Sequence, residues 1–171
     1  MPMPAFLTIE AENQGAISDG AGGSPSIGNE AQEGHEDEIM VQAVNHSIII
    51  PRDPQSGNAT GTRIHQPFKF VCTLNKAVPL MYNALTKGEK LTKVELKWYR
   101  TEAGENVNFF TTSFEDGLIV DMNLEMPHCK DPANGNFTQI MSVSMSYRKI
   151  EWEHVTAGTM GSDDWRTGTP A

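Results

Sequence analysis

The sequence predicts a mainly β protein with one short helix, folded as a barrel or as a sandwich. Several segments alternate apolar and polar residues with a period of two, which is typical of strands with one face on a core. Only one segment has apolar residues at the i, i+4 spacing of an amphipathic helix. Loops rich in glycine, proline and serine separate these segments, and 171 residues are enough for one domain.

Three segments, residues 93–98, 118–124 and 141–147, give the clearest strand patterns. Shorter strands are predicted at residues 6–10, 39–50, 64–74 and 109–114. In the three clear strands, the residues predicted to face the core are Val94, Leu96, Trp98, Leu118, Val120, Met122, Leu124, Met141, Val143, Met145 and Tyr147.

Two features interrupt the alternation. Residues 79–87 predict the helix, because Pro79 suits a first helical position and Gly88 stands where a C-terminal cap belongs. After residue 147 the pattern changes phase, since Ile150 has the opposite parity from Met145. The sequence therefore predicts a one-residue bulge near Arg148.

Composition excludes several classes of protein. Thirteen Lys and Arg against 22 Asp and Glu give a net charge of −9, which disfavours nucleic-acid binding. No apolar run approaches the roughly 18 residues of a membrane span, and the amino terminus lacks the pattern of a Sec signal peptide. Cys72 and Cys129 form no CxxC pair, which predicts two reduced thiols, with a single disulfide as the alternative.

The sequence predicts neither an enzyme nor a metal or cofactor site. Residues 35–39 begin like a zinc-protease helix motif, but Ile39 stands where the second histidine is required. His128 and Cys129 are adjacent, and adjacent residues of an extended chain point in opposite directions. Neither a nucleophile elbow nor a phosphate-binding loop is present, and the paired carboxylates are interpreted as solvated.

Two segments suggest association. The run Ile48, Ile49 and Ile50 cannot place all three side chains on one core, so it predicts either a fully buried strand or a strand covered by another chain. Ser142, Ser144 and Ser146 make a small polar face, suited to a solvated wall or to a surface that other molecules pass without adhering.

Several motifs together resemble the haemolysin-coregulated protein family, Hcp, the tube protein of bacterial type VI secretion systems. The matching stretches span nearly the whole chain and are specific only in combination. They are residues 33–43 (EGHEDEIMVQA), 48–57 (IIIPRDPQSG), 82–86 (YNALT), 94–100 (VELKWYR), 146–150 (SYRKI) and 161–165 (GSDDW).

The resemblance implies a closed or nearly closed β-barrel with one flanking α-helix, similar to phage tail-tube proteins. It further implies hexameric rings that stack into a tube, which a contracting sheath expels together with spike and effector proteins. Export by this route needs no Sec signal, so the expected location is the cytoplasm during assembly and then the outside of the cell. Neither nucleic-acid binding nor membrane insertion is expected.

The resemblance also suggests residues for these roles. An extended hairpin that joins neighbouring subunits matches residues 48–61, and the expected interface residues are Ile50, Pro51, Arg52, Asp53 and Pro54. The expected lumen-facing residues are Asn45, His46 and Ser47. The expected barrel domain is residues 1–155, followed by a polar tail at residues 156–171.

One departure from the family pattern concerns the helix entry at residues 77–79, where relatives often carry serines that cap the first backbone N–H groups. The leading hypothesis is a tube subunit without catalytic residues. The alternative is an effector carrier or chaperone that binds small toxins in the ring lumen. A ligand-binding or hydrolytic barrel requires a convergent polar pocket, which the sequence does not indicate.

Overall fold

The computed structural model describes residues 3–167. Its strands are β1 (Ala5–Ala11), β2 (Gly15–Ala16), β3 (Ile39–Asn45), β4 (Ile48–Ile49), β5 (Ile64–His65), β6 (Phe68–Thr73), β7 (Lys90–Glu102), β8 (Glu105–Glu125), β9 (Ile140–Ser146), β10 (Lys149–His154) and β11 (Thr159–Asp164). Its helices are α1 (Ser24–Ile27) and α2 (Val78–Lys87), with single 3-10 turns at Gly28–Glu30 and Pro132–Asn134.

Six antiparallel strands close into a ring in the order β8, β7, β1, β3, β6 and β9, and β9 pairs again with β8. The 21-residue strand β8 makes this closure possible. Its first part lies between β7 and β10, and its last part pairs with β9. Strand β11 pairs with β10 outside the ring. The predicted mainly β fold is confirmed.

The core fills the interior of this ring. Its largest buried side chains include Phe68, Phe114 and Tyr147, whose rings pack with centroids 4.6 Å apart for the two phenylalanines and 5.0 Å apart for Phe114 and Tyr147. Such tilted aromatic pairs stabilise a core beyond the area that they bury. Helix α2 adds the buried side chains of Met81 and Ala84 to the same core.

Helix α2 begins one residue before the predicted range and ends at the predicted residue. Gly88 has a φ of 62° and donates its N–H to the carbonyls of Ala84 and Leu85, as a C-terminal cap does. The N-cap residue is Ala77, whose side chain offers no acceptor. Packing of the apolar face therefore stabilises the helix.

The prediction of which side chains in residues 118–124 face the core is wrong at the start of the segment. Ile119 is buried and pairs with Met145, whereas Leu118 is only half-buried. A bulge between Ile119 and Asp121 leaves Val120 unpaired and 45% exposed, and beyond it Met122 takes the inward phase. One alternation rule cannot describe a strand that contains a bulge.

The predicted bulge near Arg148 is also wrong, because the chain changes strand there. Strand β9 ends at Ser146 and pairs with β6 and β8, whereas β10 begins at Lys149 and pairs with β8 and β11. Ile150 lies opposite Phe114 in this second set of pairings.

Other predicted boundaries also differ. The predicted strands 109–114 and 118–124 are both parts of β8, whereas 39–50 and 64–74 are each divided into two strands. Within the expected polar tail, residues 159–164 form β11. None of the helices within residues 3–167 is long and apolar enough to cross a membrane.

The loop between β2 and β3 packs closely against itself at Gly22. Its N–H donates to the carbonyl of Glu36 over 2.9 Å, and a Cβ atom at Gly22 would lie 2.1 Å from the carbonyl oxygen of His35. At the neighbouring Gly23, whose φ of −74° suits any residue, the nearest atoms are 3.5 Å from an added Cβ.

We expect Gly22→Ala to lower the free energy of unfolding by about 1–3 kcal/mol, because the backbone must move to admit the methyl group. The matched control, Gly23→Ala, should change it by less than about 1 kcal/mol. Urea denaturation at equal protein concentration measures both. Equal stability of the two variants would contradict the tight approach at Gly22.

Candidate subunit interface

Residues 47–66 form a two-stranded hairpin, here called the arm, which leaves the ring between β3 and β6. At its base, β4 pairs with β5, and the N–H of Gln66 donates to the carbonyl of Ser47 over 3.0 Å. Further out, the N–H of Thr60 donates to the carbonyl of Pro51 over 2.8 Å. The arm is thus a hydrogen-bonded extension with its own small sheet.

The tip of the arm is organised by Asp53. Its carboxylate accepts hydrogen bonds from the backbone N–H of Gln55 over 2.8 Å and from the hydroxyl of Ser56 over 3.0 Å. These bonds, the backbone one first, hold the pKa of Asp53 below its usual value. Of the expected interface residues, Asp53 therefore stabilises the turn itself.

The arm carries a group of exposed aliphatic side chains. Their exposed fractions are 36% for Ile48, 46% for Ile49, 59% for Ile50 and 44% for Ile64. Of the two interpretations left open by the sequence, the fully buried strand is wrong for this chain. A clustered apolar surface of this kind is typical of a site that another protein chain covers.

Five side chains join the base of the arm to the ring and to β11. The hydroxyl of Tyr147 lies 2.7 Å from Nε2 of His46 and 2.8 Å from Nδ1 of His65. Nε2 of His65 lies 2.7 Å from Oδ2 of Asp163, and the same oxygen accepts a hydrogen bond from Nε of Arg63. We call this set the arm-base network.

Contacts with backbone and aromatic groups extend the arm-base network. A terminal nitrogen of Arg63 donates to the carbonyls of Asp164 over 3.0 Å and of Thr167 over 3.3 Å. The indole of Trp165 stacks on the His65 ring at 6.2 Å and donates to the carbonyl of Tyr147. Residues of β11 and its C-terminal turn thus hold one strand of the arm.

Burial and charge shift the ionisation of this network. The hydrogen bond from Arg63 is the main cause that lowers the pKa of Asp163. Burial lowers the pKa of His46, with a further contribution from His65, and burial raises the pKa of Tyr147. At neutral pH, therefore, Asp163 is ionised while Tyr147 keeps its proton.

The structure separates the three expected lumen residues. Asn45 is exposed and lies opposite Lys69 on the outer side of β3. His46 turns inward, with its ring 5.8 Å from that of Phe68, and belongs to the arm-base network. Ser47 is the first residue of the arm. Sequence spacing could not separate them, because the chain leaves the sheet at this point.

Asn45 belongs to an outward surface that we call the polar face, formed by β3, β6, β9 and the last part of β8. Small hydroxyl and amide side chains are frequent on it, together with the small apolar Ala43 and Val71 and the charged Lys69, Asp121 and Glu125. Residues of the polar face include Asn45, Lys69, Val71, Asp121, Asn123, Glu125, Ser142, Ser144 and Ser146. Ser144 is largely covered by its neighbours.

The outward side of β7, β10 and the first part of β8 differs, because it carries ion pairs between neighbouring positions. The Nζ atom of Lys149 lies 2.7 Å from Glu151 and 3.2 Å from Glu115, and Lys97 lies 2.8 Å from Glu38. The chain therefore concentrates paired charge on one side and presents small uncharged groups on the other.

The remaining residues of chemical interest are the possible metal ligands and the two cysteines of the chain. Among residues 3–167, no group of three or more His, Cys, Asp or Glu side chains is arranged to hold a metal ion. Cys72 and Cys129 are both free thiols; Cys72 is buried, which raises its pKa to about 12, and Cys129 is exposed.

Comparison with known proteins gives the family. A family model described as "Type VI secretion system effector, Hcp" matches residues 6–154. The "Major exported protein" of Pseudomonas aeruginosa is 51% identical over 168 residues, which is 98% of either chain. This chain belongs to the Hcp family of type VI secretion proteins.

Solved Hcp structures have the same fold. One, described as an Hcp protein, superposes with a TM-score of 0.92 at 54% identity and covers 96% of this chain and 99% of its own. The secreted protein Hcp3 of Pseudomonas aeruginosa superposes with a TM-score of 0.81 at 44% identity, with the same coverage. The expected family is confirmed.

The arm-base network predicts a specific dependence of stability on pH. Because the pKa of Asp163 is lower in the folded chain than in the unfolded chain, its ionised form stabilises the fold above the unfolded value of about 3.9. This stabilisation is lost as the pH falls through the folded value.

We therefore expect Asp163→Asn to lose less stability than the wild type between about pH 5 and about pH 3, from a lower starting value at neutral pH. Denaturant unfolding at several pH values measures this difference. Asp121→Asn, on the exposed polar face, is the control and should follow the wild type. Parallel curves for wild type and Asp163→Asn would contradict the role of the ionised carboxylate.

Proposed function

We propose that this Hcp chain is a structural tube subunit, which forms hexameric rings that stack into the tube of a type VI secretion system. The observation that carries the proposal is the arm, an ordered hairpin whose four isoleucines are exposed in the single chain. Covering these side chains with a second copy removes about 25 cal/mol of unfavourable free energy per Å² of apolar surface. A ring gives every copy the same contact.

In this proposal the outer part of the arm, Ile50 to Pro54, docks on the neighbouring subunit. Charge supports this role, since Arg52 is exposed on the outer part of the arm and the chain outside the arm carries a formal charge of −10. A contact between Arg52 and carboxylates of the neighbouring subunit offsets part of the repulsion between six acidic subunits.

The polar face is the proposed lining of the ring lumen, with Asn45 as its member among the expected lumen residues. Its hydroxyl and amide groups bind water well, and they expose little apolar surface to which a passing protein adheres. Neutral small groups around a channel therefore favour transit. The same groups could hold a small effector through hydrogen bonds, which keeps the carrier or chaperone role as the second candidate.

The proposed location is the cytoplasm during assembly and the medium after expulsion by the sheath, together with spike and effector proteins. The names of two relatives, an exported and a secreted protein, support export of this chain. An immunoblot of culture supernatants with and without a functional contractile sheath tests it. Export that continues unchanged without the sheath would refute the proposed route.

We expect Ile50→Asp to convert rings into monomers, because a carboxylate at the most exposed isoleucine of the arm must be desolvated in the contact. Native mass spectrometry should show six copies, about 113 kDa, for the wild type and 18.8 kDa for the variant. The control is Ile50→Leu, which keeps the apolar surface and should keep the ring.

Circular dichroism of the monomeric variant should show the wild-type β spectrum, because the side chain of Ile50 lies outside the core. Rings that persist in Ile50→Asp, or a wild type that is monomeric at micromolar concentration, would contradict the proposed interface.

A further inference from the structure

The donors and acceptors of the arm-base network can be assigned from one end to the other. The ionised Asp163 only accepts, so Nε2 of His65 must donate to it. A neutral His65 then accepts at Nδ1, and the donor must be the hydroxyl of Tyr147. The phenol oxygen in turn accepts from Nε2 of His46. With both histidines neutral, every one of these bonds is made.

The network can take up one further proton without losing a bond. When this proton binds Nδ1 of His46, each hydrogen bond of the network keeps the same donor and the same acceptor. The extra charge can also reach His65: His46 passes its Nε2 proton to Tyr147, whose own proton moves to Nδ1 of His65. His46 then accepts at Nε2 from the re-formed hydroxyl, so both positions of the charge preserve all the contacts.

A second proton cannot be accommodated in the same way. Two protonated histidines both donate to the phenol oxygen of Tyr147, and neither can accept its hydroxyl proton. The ring centroids of His46 and His65 lie 5.7 Å and 5.5 Å from that of Tyr147, so the two positive charges also repel through one buried ring. Tyr147 is 2% exposed and the His65 side chain 3% exposed, so water screens little of this repulsion.

The surrounding charges do not supply a second counter-ion. On β11, Asp163 is shared between Arg63 and His65, and Asp164 pairs with Arg148 at 3.3 Å. Arg148 also pairs with Asp116 of β8 at 2.8 Å and with Glu115 at 3.7 Å. The other elements around the two histidines contribute the aromatic rings of Phe68, Phe114 and Trp165.

We propose that the arm-base network is a proton-operated latch. It holds the arm against Tyr147, between β9 and β10, and against β11 with up to one extra proton, and it releases the arm when both histidines are protonated. His46 directly precedes the arm and His65 lies on its returning strand, β5. In the doubly protonated state the two rings repel and the hydroxyl proton of Tyr147 has no acceptor, so the attachment of both strands weakens at once. If the arm joins subunits as proposed above, ring assembly is acid-sensitive.

Histidine NMR of the full-length chain tests the coupling. Long-range ¹⁵N spectra recorded from pH 8 to pH 4.5 should show that His46 and His65 titrate in two steps, with midpoints separated by more than about one pH unit. In Tyr147→Phe the separation should shrink, because the shared hydroxyl is absent. His128 and His154 are internal controls. Independent single-site curves for His46 and His65 in the wild type would overturn the proposal.

Amide hydrogen exchange tests the release. After correction for intrinsic rates, we expect exchange at Gln66, whose N–H donates to Ser47, to increase about tenfold or more across the second step. His46→Gln should keep this protection to lower pH, since an amide can donate to or accept from Tyr147 but takes up no proton. His154→Gln, on β10, is the matched control and should behave as the wild type.

The outcomes separate the latch from the proposed ring. Loss of protection at the same pH in His46→Gln and wild type overturns the latch, whatever the oligomeric state. Native mass spectrometry at each pH reports the ring independently. Absence of a ring at every pH contradicts the proposed function, and the coupled titration of the two histidines still decides the latch.

Discussion

The length of β8 determines which strands close the ring and which lie outside it. One continuous strand of 21 residues pairs with β7 and β10 along its first part and with β9 along its last part. Its last pairing closes the ring and encloses the core, while its first pairing places β10, and through it β11, outside the ring. The bulge at Val120 lies within the part that pairs with β9, where it shifts the inward-facing position from Ile119 to Met122.

The arm depends on this arrangement because β11 supplies its anchor. Arg63 and His65 of the arm bind Asp163, and β11 presents Asp163 where it lies opposite Ile150 of β10. A hairpin without such an anchor is marginally stable in water. The anchored base lets the outer part of the arm keep a defined shape while its isoleucines remain exposed, which is the state that a subunit contact requires.

The distribution of charge over the surface affects how identical chains associate. On the surface of β7, β8 and β10, acidic residues are balanced locally by lysines, whereas the polar face carries few charges. The net charge of −9 opposes association of identical chains. An apolar arm whose outer part has no net charge is a suitable element to overcome that opposition.

The sequence alone determined the mainly β character, helix α2 with its glycine cap, and the family, because alternation, spacing and motifs are local properties of the chain. It also indicated the arm through Ile48 to Pro54. Only the tertiary structure decided that these isoleucines are exposed, that Asn45 and His46 face opposite ways, and that the chain changes strand after Ser146. The arm-base network joins residues separated by 101, 82 and 98 positions. No local pattern encodes such contacts, since they depend on the register of paired strands.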